Sequence, residues 1–422
     1  MQLVNSSTGQ CLQHRRDGMT APRPFFYART AYRSCKTRVL SPGKPVSEAA
    51  QTSTPPKQAA APTGPDYTAP SRNLALELVR VTEAAALAAA TWLGKGDKNA
   101  ADQAAVDMMR KVLSNISMDG VVVIGEGEKD EAPMLYCGEH IGDGTPPMVD
   151  IAVDPLDGTT LTAQGRSGAI AVIALAERGC MYDPGPCFYM EKLAVGPAVD
   201  PRRVSLDYSV AHNLEAVANC LGKPVSDVTV LVLDRPRHAK LIADIRAAGA
   251  RIRMISDGDV GGAIETAKPE APVDVMMGIG GTPEGVIAAA ALKCMGGSIQ
   301  GRLWARNEQD AEAIRASGRD LTKILYTEDL VRGNDCFFAA TGVSDGDLVR
   351  GVRFYSGGAS TNSVVMRGKS QTVRYIETFH KWAGTAAHPS SPWHNQQMGS
   401  MGSPGMMSSS PGPSSAVFMM DD

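Results

Sequence analysis

The sequence predicts an α/β fold of two subdomains with a cleft between them, on three observations. Amphipathic helical runs alternate with short, β-branched-rich runs from about residue 73 to residue 381. Several of the short runs end in Gly- or Asp-containing turns, where open α/β sheets bind their ligands. The composition, 43% hydrophobic and 21% charged, supplies apolar material for one or two full cores.

The elements follow in order. LALELVRVTEAAALAAATWL reads as a long helix with Leu74, Leu78, Val81 and Ala85 on one face and Gly94 as its stop. AVDMMRKVLSNI is a second amphipathic helix, and GVVVIG after it is a strand. VDIAVD is a buried strand that ends in two aspartates, and AIAVIALAE is the next strand. DVTVLVLD and ARIRMIS, separated by the helix AKLIADIRAAG, form a strand–helix–strand unit. VDVMMGIGG leads into the helix EGVIAAAALKCM in the same way. The boundary between subdomains is expected between Pro197 and Ala211, giving segments of about 71–205 and 206–382.

The ends differ from this middle. Residues 1–50 carry eight Lys/Arg against two acids, Asp17 and Glu48, with no continuous apolar core. That is the composition of an organelle transit peptide, and the Pro/Ala/Thr stretch to residue 70 reads as a linker. Residues 383–422 are a Met/Ser/Gly/Pro tail expected to be disordered. A net charge of −3 offers no basic field for nucleic acid, and no apolar run is long enough to span a bilayer. The eight cysteines include no zinc-type pair, so reduced thiols are expected. Cys180 and Cys187 flank a Pro/Gly loop in which a reversible disulfide is conceivable.

The chemistry concentrates in four acidic segments at the ends of elements. Asp102 lies between the first two helices, Glu126 opens GEGEKDE after a strand, Asp154 and Asp157 sit in DPLDGT, and Glu284 stands at a strand-to-helix turn. Hard divalent cations are held by a few carboxylates and leave their other positions to water and phosphate. Two such ions would activate a water and stabilise the leaving oxygen of a phosphoryl transfer. Gly158 before a helix offers backbone N–H groups to the phosphate, and Thr159 offers a hydroxyl to the attacking water, with Asp102 orienting the pair. Arg235 and Arg237 in LDRPRH would converge on a second anion if the segment is extended, with Tyr189 and Lys192 as nearer candidates. Asp257 and Asp259 in SDGDV would hold sugar hydroxyls from one side of an extended turn.

GKGDKNAADQAAV, GVVVIGEGEKDEAPMLY, VDIAVDPLDGTTLTA, YMEKLAVGP, LDRPRH, ISDGDV and GIGGTPEGV together resemble the class II fructose-1,6-bisphosphatases. The likeness is strongest to the cyanobacterial type that also cleaves sedoheptulose 1,7-bisphosphate, and it covers about Arg72 to His380. DPLDGT alone is shared with the wider lithium-sensitive sugar and inositol phosphatases. The resemblance implies a layered α/β/α/β/α architecture, Mg²⁺ or Mn²⁺ dependence and a homotetramer. It implies that Asp102, Glu126, Asp154, Asp157 and Glu284 hold the metals, and that Asp157, Gly158 and Thr159 contact the scissile 1-phosphate. Tyr189, Arg235, Arg237, Asp257, Asp259 and Gly281 would bind the rest of the sugar bisphosphate. Bacterial relatives often carry Glu at the position of Asp157 and Lys at that of Arg235; this chain has the pair seen in photosynthetic relatives. The expected destination is the chloroplast, with mitochondrion or cytoplasm as alternatives. The competing readings are an inositol-type monophosphatase and a silent scaffold.

Overall fold

The computed structural model describes residues 74–127 and 134–382. The expected transit peptide and linker, the expected tail and the later acids of GEGEKDE lie outside the described residues. The first helix, α1 (Leu74–Ala90), buries Leu74, Leu78, Val81 and Ala85 as their spacing requires. It stops short of Leu93 because Thr91, Trp92 and Leu93 bond to carbonyls three residues back, tightening the last turn. Helix α2 (Lys98–Leu113) begins earlier than its apolar period suggests. Asp97 caps it by accepting the Ala100 N–H at 2.9 Å. Asp102 therefore stands inside α2, and the expectation that it lies between the helices is corrected.

The chain then lays down β1 (Asp119–Ile124), β2 (His140–Ile141), β3 (Met148–Asp157), the short helix α3 (Thr159–Gln164) and β4 (Ile170–Glu177). A second sheet follows, made of β5 (Tyr189–Val195), β6 (Thr229–Leu233), β7 (Arg251–Ile255), β8 (Val275–Gly281), β9 (Ser298–Trp304) and β10 (Leu325–Tyr326). Between its strands lie α4 (Val210–Leu221), α5 (Ala239–Ala247), α6 (Asp259–Glu265) and α7 (Thr282–Met295). The expected β6–α5–β7 unit is present, with β6 and β7 parallel. Finally β11 (Phe337–Gly342), β12 (Arg353–Tyr355), β13 (Gly358–Arg367) and β14 (Thr372–Lys381) return to the first sheet, where β11 pairs with β4. The change of sheet therefore does not divide the chain into 71–205 and 206–382: β5 already belongs to the second sheet, and the last four strands to the first.

Strand alternation builds the layers. Ile151, Val153, Ile173 and Leu175 face α1 and α2 in one core. Val172, Ala174 and Ala176, on the opposite face, pack on α6 and α7, which also cover Met190 and Ala194 of β5. Leu193 and Val195, on the other face of β5, join α4 and α5 in a third core. The order is helix, sheet, helix, sheet, helix: the α/β/α/β/α arrangement.

Candidate active site

Residues three apart on a regular strand point to opposite faces. Asp154 and Asp157 escape that rule through a bulge. In the β3–β4 ladder Asp154 opposes Val172 and Asp157 opposes Ile170, so three steps on β3 match two on β4. The extra residue falls at Pro155–Leu156, where proline has no N–H to lose from the ladder. Both carboxylates thus return to one side. Asp154 Oδ1 accepts the Leu156 N–H at 3.0 Å, which braces the bulge.

Three further elements bring their acids to this point. Asp102 comes from α2, Glu126 follows β1, and Glu284 stands in the first turn of α7. Burial, then repulsion from Asp157, Glu284, Glu126 and Asp102, pushes the Asp154 carboxyl well above its usual range. Asp157 rises through burial, then Asp259, Glu284 and Asp257, and Glu126 is pushed up to about 7 by burial, Asp102 and Glu284. Burial also raises Asp102. The five predicted ligands therefore share one electrostatic field.

Asp157 Oδ2 and Glu284 Oε2 are buried with no hydrogen-bond partner. An ionised carboxylate has only acceptors, and a cation is one group that can satisfy it when buried. The donor set, all carboxylate oxygen, fits a hard divalent ion. Among the described residues no three carboxyl, imidazole or thiol groups already stand as a finished coordination shell. What the fold supplies is a convergent acidic field. Gly281 caps α7, and a Cβ there would overlap the Glu284 carboxylate. Gly158, at φ 96°, turns β3 into α3 and leaves Thr159 half-buried at the helix start.

The cationic side borders the acids. Arg235 is extended, but Pro236–His238 is a 3₁₀ turn, so the expected alternation of an extended segment does not orient the two arginines. They still stand together at the end of β6. Arg237 donates to the Ile279 carbonyl at 2.8 and 3.1 Å and lies 5.1 Å from the Tyr189 ring centroid. Tyr189 opens β5 opposite Gly281, and its ring meets Trp304 edge-on at 6.1 Å.

Asp257 and Asp259 do not lie on an extended turn. Gly258, at φ 82°, breaks the chain direction, and Asp259 becomes the buried first residue of α6. A Cβ on Gly258 would sit 3.9 Å from both Asp157 carboxylate oxygens, so this loop closes over the aspartates of β3. Burial raises Asp257, and Arg235 and Lys98 counter it. Sequence reasoning gave no role to Lys98, although GKGDKNAADQAAV contains it, and none to Trp304, which lies outside the quoted motifs. Lys192, read as a candidate for the second anion, is instead 1% exposed and bound to Asp259. Cys180 and Cys187 are free thiols.

A buried histidine fixes the arginine turn. His238 Nδ1 donates to the Leu233 carbonyl, and Nε2 accepts the Ile279 N–H, each at 2.7 Å. Burial, the largest cause, lowers its pKa, so this contribution is present at neutral pH and lost as pH falls below the unfolded value of about 6.5. His238→Ala strands both backbone groups and is expected to cost about 2–4 kcal/mol, read by urea unfolding at pH 8. A change under about 0.5 kcal/mol would show that the turn is held by other contacts.

Comparison with known proteins decides the family. The model of bacterial fructose-1,6-bisphosphatase, glpX-encoded, matches residues 72–380. The class 2 fructose-1,6-bisphosphatases of Escherichia coli K12 and Shigella flexneri are each 46% identical over 322 residues, covering 73% of this chain and 95% of the relative. The chain belongs to the class II fructose-1,6-bisphosphatase family. This bisphosphatase family generally needs divalent metal ions, in keeping with the unpartnered carboxylate oxygens. Among solved structures, the extragenic suppressor protein suhB from Bartonella henselae aligns over 47% of this chain and 74% of its own, at 17% identity and a TM-score of 0.27.

Proposed function

We propose that the protein hydrolyses the 1-phosphate of fructose 1,6-bisphosphate, with sedoheptulose 1,7-bisphosphate as a second substrate, where β3, α6 and α7 meet. The observation that carries this is the pair of bulge-aligned aspartates, one with an unpartnered oxygen. Beside it, the field of Arg235 acts on Asp257 and that of Asp259 on Arg237, in the loop that closes over Asp157. Asp102, Glu126, Asp154, Asp157 and Glu284 would hold Mg²⁺ or Mn²⁺, which when bound supply water activation and neutralise phosphoryl charge. Gly158 and Thr159 receive the 1-phosphate, with Asp157 beside them. The Thr159 hydroxyl holds the attacking water, and Asp102 orients the pair. Arg235 and Arg237 grip the distal phosphate, while Tyr189, Asp257, Asp259 and Gly281 border the sugar. A monophosphate gives that arginine pair nothing to bind, which weighs against the inositol-type reading. Phosphate release with Mg²⁺ from both bisphosphates, and from inositol monophosphate, tests the assignment. Turnover of inositol monophosphate alone would overturn it.

The proposed setting is a plastid, with carbon fixation as the pathway and a homotetramer as the assembly. Its support is the Arg-rich, acid-poor opening and a family match that begins only at residue 72. A fluorescent reporter fused to residues 1–70 is expected to enter plastids, with a mature terminus between about Ser47 and Ser71. A cytosolic signal would shift the pathway to gluconeogenesis.

A further inference from the structure

Lys192 is one of the largest fully buried side chains among the described residues. Strand alternation puts it on the Met190 and Ala194 face of β5, so it enters the central helix layer between the sheets. There its Nζ donates to Asp259 Oδ2 at 2.7 Å, at the head of α6. Glycines make the room. A Cβ on Gly280 would overlap the Asp259 carboxylate and lie 3.1 Å from Nζ, and one on Gly285 would lie 3.3 Å from the Lys192 Cε. The ammonium has three donors, and only one hydrogen bond accounts for them here. Its field also favours the charged forms of Asp157 and Glu284, the two acids with unpartnered buried oxygens.

A buried ion pair is weak support for stability, because desolvation offsets the attraction. Such a pair beside an acidic site acts more usefully as fixed charge. We propose that Lys192 is a positioning residue of the bisphosphatase reaction: it locks Asp259 at the head of α6 and places its ammonium group beside the acid cluster, setting how strongly that cluster attracts divalent ions. The proposal rests on the reading of the acids as the metal site. Lys192 touches neither the reacting atoms nor the metal ions in this scheme and acts through its neighbours.

The test uses Mn²⁺ alone as probe, with binding to the full-length chain followed by electron paramagnetic resonance, beside kcat and KM for fructose 1,6-bisphosphate. Lys192→Met removes a positive charge, so Mn²⁺ is expected to bind about tenfold more tightly. Because Asp259 is released, kcat should fall about tenfold or more. Asp259→Asn frees the ammonium toward Asp157 and Glu284, and Mn²⁺ should then bind about tenfold more weakly. Opposite shifts from two variants of one ion pair are an electrostatic signature that loosened packing does not produce. If Lys192→Met fails to fold, Lys192→Gln, which removes the same charge and keeps polar atoms for Asp259, takes its place. Unchanged Mn²⁺ affinity in the folded variants overturns the proposal, whatever happens to their melting temperatures. Asp154→Asn separates the two readings: if it leaves Mn²⁺ affinity intact, the metal-site assignment itself has failed.

Discussion

Asp154→Asn is expected to abolish turnover while leaving the protein folded and no less stable. The substitution removes one charge and no volume. Its single structural bond, from the Leu156 N–H to Oδ1, survives because asparagine keeps an acceptor oxygen there. Burial and four neighbouring acids all oppose the charged form of Asp154, so a neutral side chain relieves strain on the fold. With Asp154 as one of the proposed metal ligands, the loss falls on chemistry: its removal would forfeit several kcal/mol of charge stabilisation, about 10³-fold in rate or more. Phosphate release at saturating Mg²⁺, beside thermal unfolding in EDTA, reads both halves. Near-normal turnover would remove Asp154 from the metal site.

Burial, with repulsion from neighbouring acids, also gives a pH signature. Glu126 is pushed from 4.5 to about 7, so the folded protein holds this proton through a range in which the unfolded chain has released it. With more protons bound in the folded state, stability falls as pH rises from about 4.5 to about 7. EDTA-treated protein should therefore melt lower at pH 8 than at pH 6, and Asp154→Asn should narrow that gap.

How much of this was legible in the sequence depended on how local each signal is. Helix α1 and the β6–α5–β7 unit follow from period and turn residues, and the structure contains both. DPLDGT after a buried strand marked the site, but the bulge that aligns its aspartates depends on pairing with β4. The return of β11–β14 to the first sheet was hidden for the same reason. Phe337 pairs with Leu175, and no local pattern says which sheet a strand such as FFAATG will join. Asp102 was misplaced because the apolar period of α2 begins after its cap at Asp97. SDGDV looked extended because nothing in its letters shows that Gly258 takes a left-handed turn and begins a helix. Lys192 misled in the opposite way. A lysine in a strand reads as a solvated end or a ligand for an anion, and only the packed glycines around it reveal a buried counter-charge.

Replacing both Arg235 and Arg237 by alanine should raise KM for fructose 1,6-bisphosphate by about 10²-fold, from two charge-assisted contacts at about 1.5–3 kcal/mol each, partly offset by solvation. A smaller fall in kcat should accompany it, because energy from the non-reacting phosphate helps orient the reacting one. The single variants divide the effect. The hydrogen bond found for the Arg235 side chain is to the neighbouring Asp234 carbonyl, so Arg235→Ala should change KM with little effect on stability. Arg237 also holds the Ile279 carbonyl and lies on Tyr189, so Arg237→Ala should lower stability as well. Steady-state kinetics on the bisphosphate, set against urea unfolding of the same proteins, separates binding from folding. These contacts make Arg237 the larger of the two single effects on stability. An unchanged KM in the folded double variant would reduce the pair to the end of β6 and return ground to a monophosphate substrate. A KM rise confined to Arg237→Ala and matched by lost stability would show that this arginine shapes the β6–β8 edge without gripping phosphate.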